Sequence, residues 1–201
     1  MDEYKHMAWF YDPILHIIID KVRKEIVKII ENNHAQSILD ICCGTGNQLK
    51  YLKKRGYQNI TGVDISQSMM KQGRKGEVSV SCEHQDAAHL LFEDDSFDVG
   101  IISYALHEKE EHTAHKIVQQ ARRVIKPNGL LIIVDFNQQE KVNWPVKAGV
   151  HFVERFAGKN HYKNFRAYQR YGGLDHLMDY QVPEQDLHYH GGITLLRSYR
   201  I

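Results

Sequence analysis

The stretch SILDICCGTGNQL, residues 37–49, decides how the rest of the chain is interpreted. It joins a short apolar run to an acid, Asp40, and then to two adjacent cysteines and a Gly-Thr-Gly turn. An apolar run that ends in glycines is typical of a buried parallel strand. Glycines at that point let the backbone curl tightly, so that a ligand can approach the next helix. The stretch therefore predicts a strand, a turn and a helix, with a ligand site at the turn.

The segments that follow alternate between helix-like and strand-like patterns of apolar residues. Helices are predicted at 14–30, 47–55, 66–74 and 111–125, and strands at 38–42, 59–63, 78–84, 97–103 and 130–134. Five strands that alternate with helices require a parallel sheet covered on both faces. After Phe136, an aromatic-rich helical segment at 142–171 and a short helix at 174–180 are predicted. Two strand-like runs around Gly191-Gly192 then predict an antiparallel hairpin that completes the sheet.

Composition excludes several classes of protein. The 201 residues suffice for one domain, and a formal net charge of +1 gives no basic excess for binding nucleic acid. The apolar run at 14–19 is too short to span a bilayer, and three cysteines do not form a disulfide framework. We expect a cytoplasmic protein without a membrane span and without a nucleic-acid partner.

Two common phosphate-binding motifs do not match the glycine turn. A Walker loop needs a lysine that does not follow Gly46, and Leu49 occupies the third glycine position of a dinucleotide fingerprint. Asp64 ends the second predicted strand, where a carboxylate accepts hydrogen bonds from ribose hydroxyls. Asp86 ends the third and could accept from an exocyclic amine, with the Ala87 N–H beside the ring. The implied ligand is an adenosine that carries something other than pyrophosphate.

Five motifs now agree with one known pattern. In order and spacing, LDICCGTG, GVDIS, QDA, FDVGIISYALHE and RRVIKPNGLLIIVDF resemble the motifs of class I S-adenosylmethionine-dependent methyltransferases. The CCGT turn is similar to that of the ubiquinone/menaquinone methyltransferase branch. The resemblance covers about residues 36–136. It implies an α/β, Rossmann-like fold with a mostly parallel seven-stranded sheet, an antiparallel C-terminal hairpin strand, and helices on both faces.

The resemblance also implies roles for residues near the methionine end of the cofactor. Asp40 would hold the methionine amino group, directly or through water. Gly44 and Gly46 would border the methionine and the ribose, and Ser103 would contact the methionine portion through its backbone. The segment WFYDP resembles the family's lid, from which Tyr11 could reach the methionine carboxylate.

At the adenosine end, the resemblance assigns the ribose hydroxyls to Asp64 and the adenine face to Ile65. Asp86 and Ala87 would read the adenine edge. Cys42 stands where the family's commonest pattern has glycine, so it belongs to the same cofactor-binding turn. S-adenosylmethionine is thus the expected cofactor, and S-adenosylhomocysteine the expected product.

The adjacent cysteines, Cys42 and Cys43, raise the alternatives of redox chemistry and metal binding. Successive side chains of a strand point to opposite faces, and the spacing fits neither one metal nor a Cys-x-x-Cys motif. We interpret both as compact packing residues and predict no metal site. His107 and Tyr104 follow the fourth strand at the mouth of the sheet and are the catalytic candidates, as proton acceptors. The alternative for His107 is a loop residue that shapes the pocket.

The leading hypothesis is methyl transfer to a small-molecule acceptor. The branch resemblance suggests an aromatic or quinone-like ring, but a generic small-molecule acceptor ranks ahead of a quinone because the match fades after Phe136. The alternatives are a non-catalytic binder of the cofactor that regulates a partner enzyme, and a nicotinamide oxidoreductase, which the missing third glycine disfavours. We expect one domain with four parts. These are an N-terminal helical lid at 1–35, a cofactor-binding core at 36–136, a helical substrate cover at 137–180 and a terminal hairpin at 181–201.

Overall fold

The computed structural model describes residues 8–74, 78–137, 142, 144–156 and 158–201, with backbone only for 8–18, 144–146, 152, 153 and 156. Its centre is one seven-stranded sheet with the order β3-β2-β1-β4-β5-β7-β6. The strands are β1 (Ile38–Ile41), β2 (Ile60–Asp64), β3 (Ser81–His84), β4 (Phe97–Ser103), β5 (Ile125–Phe136), β6 (Gln185–Tyr189) and β7 (Thr194–Arg200). Strands β1 to β5 pair in parallel, and β7 runs antiparallel between β5 and β6. The predicted fold class is confirmed.

Helices connect and cover these strands. They are α1 (Ala8–Asn32), α2 (Asn47–Lys53), α3 (Gln67–Gly73), α4 (Glu111–Val124), α5 (Trp144–Phe156), α6 (Lys159–Tyr171) and α7 (Gly173–Leu177). A short 3₁₀ turn, Leu106–Glu108, follows β4. No helix in the described part of the chain combines the length and apolar character that a bilayer crossing needs.

Several predicted elements differ in detail; β5, for example, begins at Ile125 instead of 130. The third strand is only Ser81–His84, an edge strand whose residues are mostly exposed. The aromatic-rich segment forms two helices, because Gly158 has φ 132° and cannot continue a helix. The hairpin loop spans four residues, 190–193, and its first three residues all have positive φ.

The core lies in two layers, one on each face of the sheet. Alternate side chains of β1 supply them: Leu39 packs with α4, while Ile38 packs with α1 and α2. Every residue of β1 is buried, as expected for a central strand covered on both faces. The carboxyl ends of β1, β2, β4 and β5 consequently meet at one edge, where ligands of such sheets bind.

Glycine lets α3 pack directly on the turn that follows β1. A Cβ at Gly73 would lie 2.3 Å from the carbonyl oxygen of Thr45. The contacted atom is backbone, so it cannot move without moving the turn. This close contact between α3 and the backbone of Thr45 holds the turn in place.

Replacing Gly73 with alanine should therefore weaken both the fold and the site. We expect a loss of about 1–3 kcal/mol in urea unfolding, with reduced S-adenosylhomocysteine affinity. Gly149→Ala is the matched control, since nothing lies within 4 Å of a Cβ there. That helical glycine should tolerate alanine with a gain of up to about 1 kcal/mol. Equal effects at the two positions would refute the packing argument.

Candidate active site

The turn after β1 has the backbone shape that its glycines predict. Gly44 and Gly46 have φ 55° and 67°, in the left-handed region that glycine adopts without strain. The Gly46 N–H donates to the Cys43 carbonyl at 2.8 Å, and Gly46 caps the N-terminus of α2. A Cβ on Gly46 would lie 3.2 Å from Val80 and 3.3 Å from the sulfur of Cys82. The turn is therefore tight against the edge of the sheet.

Cys42 adopts the backbone shape of a glycine. Its φ is 59°, which costs a non-glycine residue about 1–3 kcal/mol. The side chain is half-buried against the α4 layer of the core, and burial raises the pKa of its thiol to about 12. Cys42 is a neutral packing residue here, and its neighbour Cys43 instead donates to the sulfur of Cys82 at 3.8 Å.

Substitutions at Cys42 should separate backbone strain from side-chain contact. Cys42→Gly relieves strain but loses packing, so stability should change by less than about 1 kcal/mol and cofactor affinity should be kept. Cys42→Val places a branched side chain in the left-handed region and should cost about 2 kcal/mol or more. Urea unfolding and calorimetry measure both. A large loss of affinity in Cys42→Gly alone would show that the thiol itself contacts the cofactor.

Asp64 ties the end of β2 to the glycine turn. One carboxylate oxygen accepts from the Gly44 N–H and the other from the Ser66 N–H, both at 2.7 Å. Burial raises the pKa of Asp64 above its ordinary value, and the two backbone donors oppose that shift. Each carboxylate oxygen keeps a further acceptor position, so the group can receive the two hydroxyls of a ribose.

Asp40 lies within β1 and is 2% exposed. Burial, together with the charges of Cys82 and Asp64, raises its pKa well above the usual range, while Arg23 of α1 opposes the shift. The residue sits two positions before the turn, at the predicted place for the methionine amino group.

The predicted adenine contacts follow the ends of two neighbouring strands, β2 and β3. Ile65 comes directly after Asp64, and its side chain is 56% exposed. Such exposure is unusual for a large apolar side chain. The imidazole of His84 is 3.0 Å from the Ile65 carbonyl, which joins the ends of β2 and β3. Asp86 accepts from the Ala88 N–H at 2.9 Å, and Ala87 is buried beside it. Ile65 therefore offers an open apolar face next to the carboxylates.

Ser103 ends β4 on the other side of the turn. Its hydroxyl is buried and, among the described residues, has no hydrogen-bond partner. An orphaned hydroxyl, a glycine cradle and an exposed apolar side chain together fit a nucleoside with a polar tail. Tyr11 belongs to α1, but its side chain lies outside the described residues.

The contacts and the pKa of Tyr104 argue against a role in proton transfer. Its φ of 53° lies in the left-handed region, and its hydroxyl donates to the Thr194 hydroxyl at 3.2 Å. Burial raises the pKa of Tyr104 to about 12. The phenol is therefore neutral and already engaged with β7.

His107 is buried between two carboxylates. Its Nδ1 is 2.6 Å from Asp135 Oδ1, and its Nε2 is 3.6 Å from Glu154 Oε2. Burial lowers the pKa of His107, but the charge and hydrogen bond of Asp135, with those of Glu154, outweigh it and raise the pKa to about 10. The imidazole is thus protonated near neutral pH, and both nitrogens are engaged. The predicted role of His107 as proton acceptor finds no support in this arrangement.

Asp135 is a site residue that sequence reasoning did not single out. It is fully buried at the end of β5 and accepts four hydrogen bonds, from His107 Nδ1 and from the N–H groups of Leu106, His107 and Phe136. These bonds hold the 3₁₀ turn against the sheet. The sequence signal that could have identified Asp135 is its position as an acid at the end of an apolar strand.

The sequence analysis also did not identify Glu154 and His161 as candidate functional residues. His161 Nε2 is 2.5 Å from Glu154 Oε2, and its Nδ1 is 3.4 Å from Glu108 Oε2. The two residues lie on different helices, α5 and α6, with a break between them. No periodic spacing in the sequence could join them.

Aromatic rings gather around Phe136, at the end of β5. The ring centres of Tyr104, His107 and Phe165 lie 5.7, 4.7 and 5.6 Å from it, all with edge-to-face geometry. The mouth of the sheet is therefore aromatic on the side of α6.

Comparisons with known proteins find similar sequences among methyltransferases. Residues 38–129 match the methyltransferase domain family. Demethylmenaquinone methyltransferase of Listeria monocytogenes is 29% identical over 163 residues, 77% of this chain and 67% of that protein. The Staphylococcus aureus enzyme of the same name is 31% identical over 144 residues, 67% of this chain and 59% of that protein.

Solved structures share the fold. The PH0226 protein of Pyrococcus horikoshii superposes with a TM-score of 0.73 at 19% identity, over 100% of this chain and 98% of that one. The N-methyltransferase NodS of Bradyrhizobium japonicum, solved with S-adenosylhomocysteine, gives 0.67 at 12% identity, over 99% and 94%. Together with the glycine turn and its acidic partner at the end of β2, these similarities support a class I S-adenosylmethionine-dependent methyltransferase.

Proposed function

We propose that this methyltransferase transfers the methyl group of S-adenosylmethionine to a small molecule with an aromatic or quinone-like ring. The main observation in favour of this cofactor is the Asp64 carboxylate, which accepts a hydrogen bond from the Gly44 N–H and lies beside the exposed Ile65. The aromatic side chains packed around Phe136 support a ring-shaped acceptor, since aromatic groups pack edge-to-face or offset against one another. The demethylmenaquinone methyltransferase relatives support a ring acceptor.

The residues named in the sequence would divide the cofactor between them. Asp64 would bind the ribose and Ile65 the adenine face, with Asp86 and Ala87 at the adenine edge. The methionine end would lie near Asp40, the glycine turn, Ser103 and Tyr11. The bound sulfonium supplies the reactive methyl, and the protein supplies alignment and exclusion of water.

The acceptor would attack the methyl carbon in line, breaking its bond to sulfur and leaving S-adenosylhomocysteine. His107 and Tyr104 would position the acceptor rather than remove its proton, since both are engaged with other groups. An acceptor that arrives as a phenolate, thiolate or neutral amine needs no protein base. We propose that the helices after β5 form its cover and that the N-terminal segment closes the methionine end.

Transfer of labelled methyl groups tests the proposal. The protein should be incubated with methyl-labelled S-adenosylmethionine and matched sets of hydroquinones, phenols, amines and thiols. We expect label in a ring acceptor, with one S-adenosylhomocysteine formed for each methyl transferred. Transfer only to amines or thiols would replace the ring proposal, and transfer to none, in a metabolite extract as well, would contradict catalysis.

A further inference from the structure

A cluster of histidines and a glutamate lies outside the cofactor-binding turn. One ring nitrogen of His107, one of His161 and a Glu154 carboxylate oxygen all lie within 4.8 Å of one another. The Nε2 atoms of His107 and His161 are 3.6 and 2.5 Å from Glu154 Oε2. The three side chains come from the 3₁₀ turn, α6 and α5, and their exposure is 4%, 10% and 2%. Three elements thus aim three ligand-type atoms at one buried point.

The other ring nitrogen of each histidine faces a carboxylate. His107 Nδ1 is 2.6 Å from Asp135, and His161 Nδ1 is 3.4 Å from Glu108. Histidines that bind metals almost always donate this second N–H to such an acceptor, which fixes the ring and turns the opposite nitrogen toward the ion. Both imidazoles here have that arrangement, with both Nε2 atoms turned toward Glu154.

The charge of the cluster favours a cation. Asp135, Glu154 and Glu108 supply three carboxylates, and Lys109, 2.6 Å from Glu108, supplies one ammonium. With neutral imidazoles the cluster carries a net charge of −2. Buried carboxylates of this kind need a compensating charge. Two protons on the imidazoles or one divalent ion can supply it.

We propose that His107, Glu154 and His161 bind one divalent transition-metal ion of the Zn²⁺ or Co²⁺ type. Two imidazoles and one carboxylate form a ligand set suited to these ions, whereas Mg²⁺ and Ca²⁺ prefer sites built from oxygens alone. Three protein ligands leave a coordination position for water or for an oxygen of the acceptor. The ion would also tie α5 and α6 to the end of β4. This site goes beyond the proposed methyl transfer and does not depend on it.

Cobalt titration of untagged, chelator-treated protein tests the site. We expect one equivalent of Co²⁺ to produce visible d–d bands without the near-ultraviolet band of a thiolate, and Zn²⁺ to displace it. Zn²⁺ should also raise the midpoint of thermal unfolding. Glu154→Gln and His161→Gln should each weaken Co²⁺ binding at least 100-fold, and Asp135→Asn by about 10- to 100-fold.

Two controls make the outcome decisive. Glu111, His115 and His176 form a second, more exposed group of the same residue types, and His176→Gln should leave the cobalt spectrum unchanged. S-adenosylhomocysteine affinity, measured on every variant, shows that the protein remains folded and keeps failure here distinct from failure of the proposed function. Absence of stoichiometric Co²⁺ binding, binding that survives Glu154→Gln, or a spectrum lost in His176→Gln would overturn the proposal.

Discussion

Asp64→Ala should abolish detectable cofactor binding, lowering S-adenosylhomocysteine affinity by about 100-fold or more, which corresponds to about 2.8 kcal/mol. The change removes the acceptor proposed for the ribose. It also releases the Gly44 and Ser66 N–H groups, each 2.7 Å from the carboxylate. Hydrogen bonds to a charged group contribute about 1.5–3 kcal/mol each. The ligand contact and the shape of the turn are lost together.

Calorimetric titration with S-adenosylhomocysteine measures this loss. Glu93→Ala, at an exposed acid elsewhere on the surface, is the matched control and should bind as the unaltered protein does. Asp64→Asn keeps one carbonyl oxygen, so an intermediate affinity is expected. Unchanged affinity in Asp64→Ala would remove this residue from the site.

Asp135→Asn should cost the largest amount of stability, about 3–5 kcal/mol, because it breaks a buried ion pair from one side. The charge of His107 would lose its partner at 2.6 Å, and the amide would turn a donor toward backbone N–H groups. We expect the 3₁₀ turn to loosen and turnover to fall. The cofactor turn after β1 lies on another strand, so S-adenosylhomocysteine affinity should change much less.

Urea unfolding distinguishes this residue from an ordinary ion pair. Asp94 is 2.6 Å from Arg123 but 72% exposed. Asp94→Asn should therefore cost no more than about 1 kcal/mol. If the two substitutions had similar cost, the buried network around Asp135 would not be the anchor described here.

The sheet was predictable because its signals are local. Strand β1 is a short, mostly apolar run that is followed by two cysteines and the glycine turn, and β5 is wholly apolar at its centre. Neither run has the one-sided apolar pattern of an amphipathic helix. The alternation of such runs with amphipathic helices determines a parallel sheet. The terminal hairpin was visible from Gly191-Gly192, although the positive φ of His190 lengthened its loop.

The residues proposed to bind the cofactor could be selected from the sequence because the ends of parallel strands converge. Asp64 and Ser103 each end a parallel strand, so order along the chain predicts nearness in space. The odd residue of the turn, Cys42, gains its explanation only from the backbone. Its φ of 59° shows why glycine is the usual choice at that position.

The buried cluster was not predictable, because folding alone brings its members together. His107, Glu154 and His161 lie on three elements, and Asp135 reaches them from the end of β5. The sequence placed His107 at the mouth of the sheet but could not show that both of its nitrogens face carboxylates. For that reason we propose that His107 positions the acceptor, in place of the predicted proton transfer.

A crystal structure with S-adenosylhomocysteine tests the central claim most directly. We predict that both ribose hydroxyls lie within about 3 Å of the Asp64 carboxylate, with adenine against Ile65. The sulfur should lie near Ser103, facing the aromatic rings around Phe136. A ligand bound elsewhere, or a ribose that does not contact Asp64, would contradict the account.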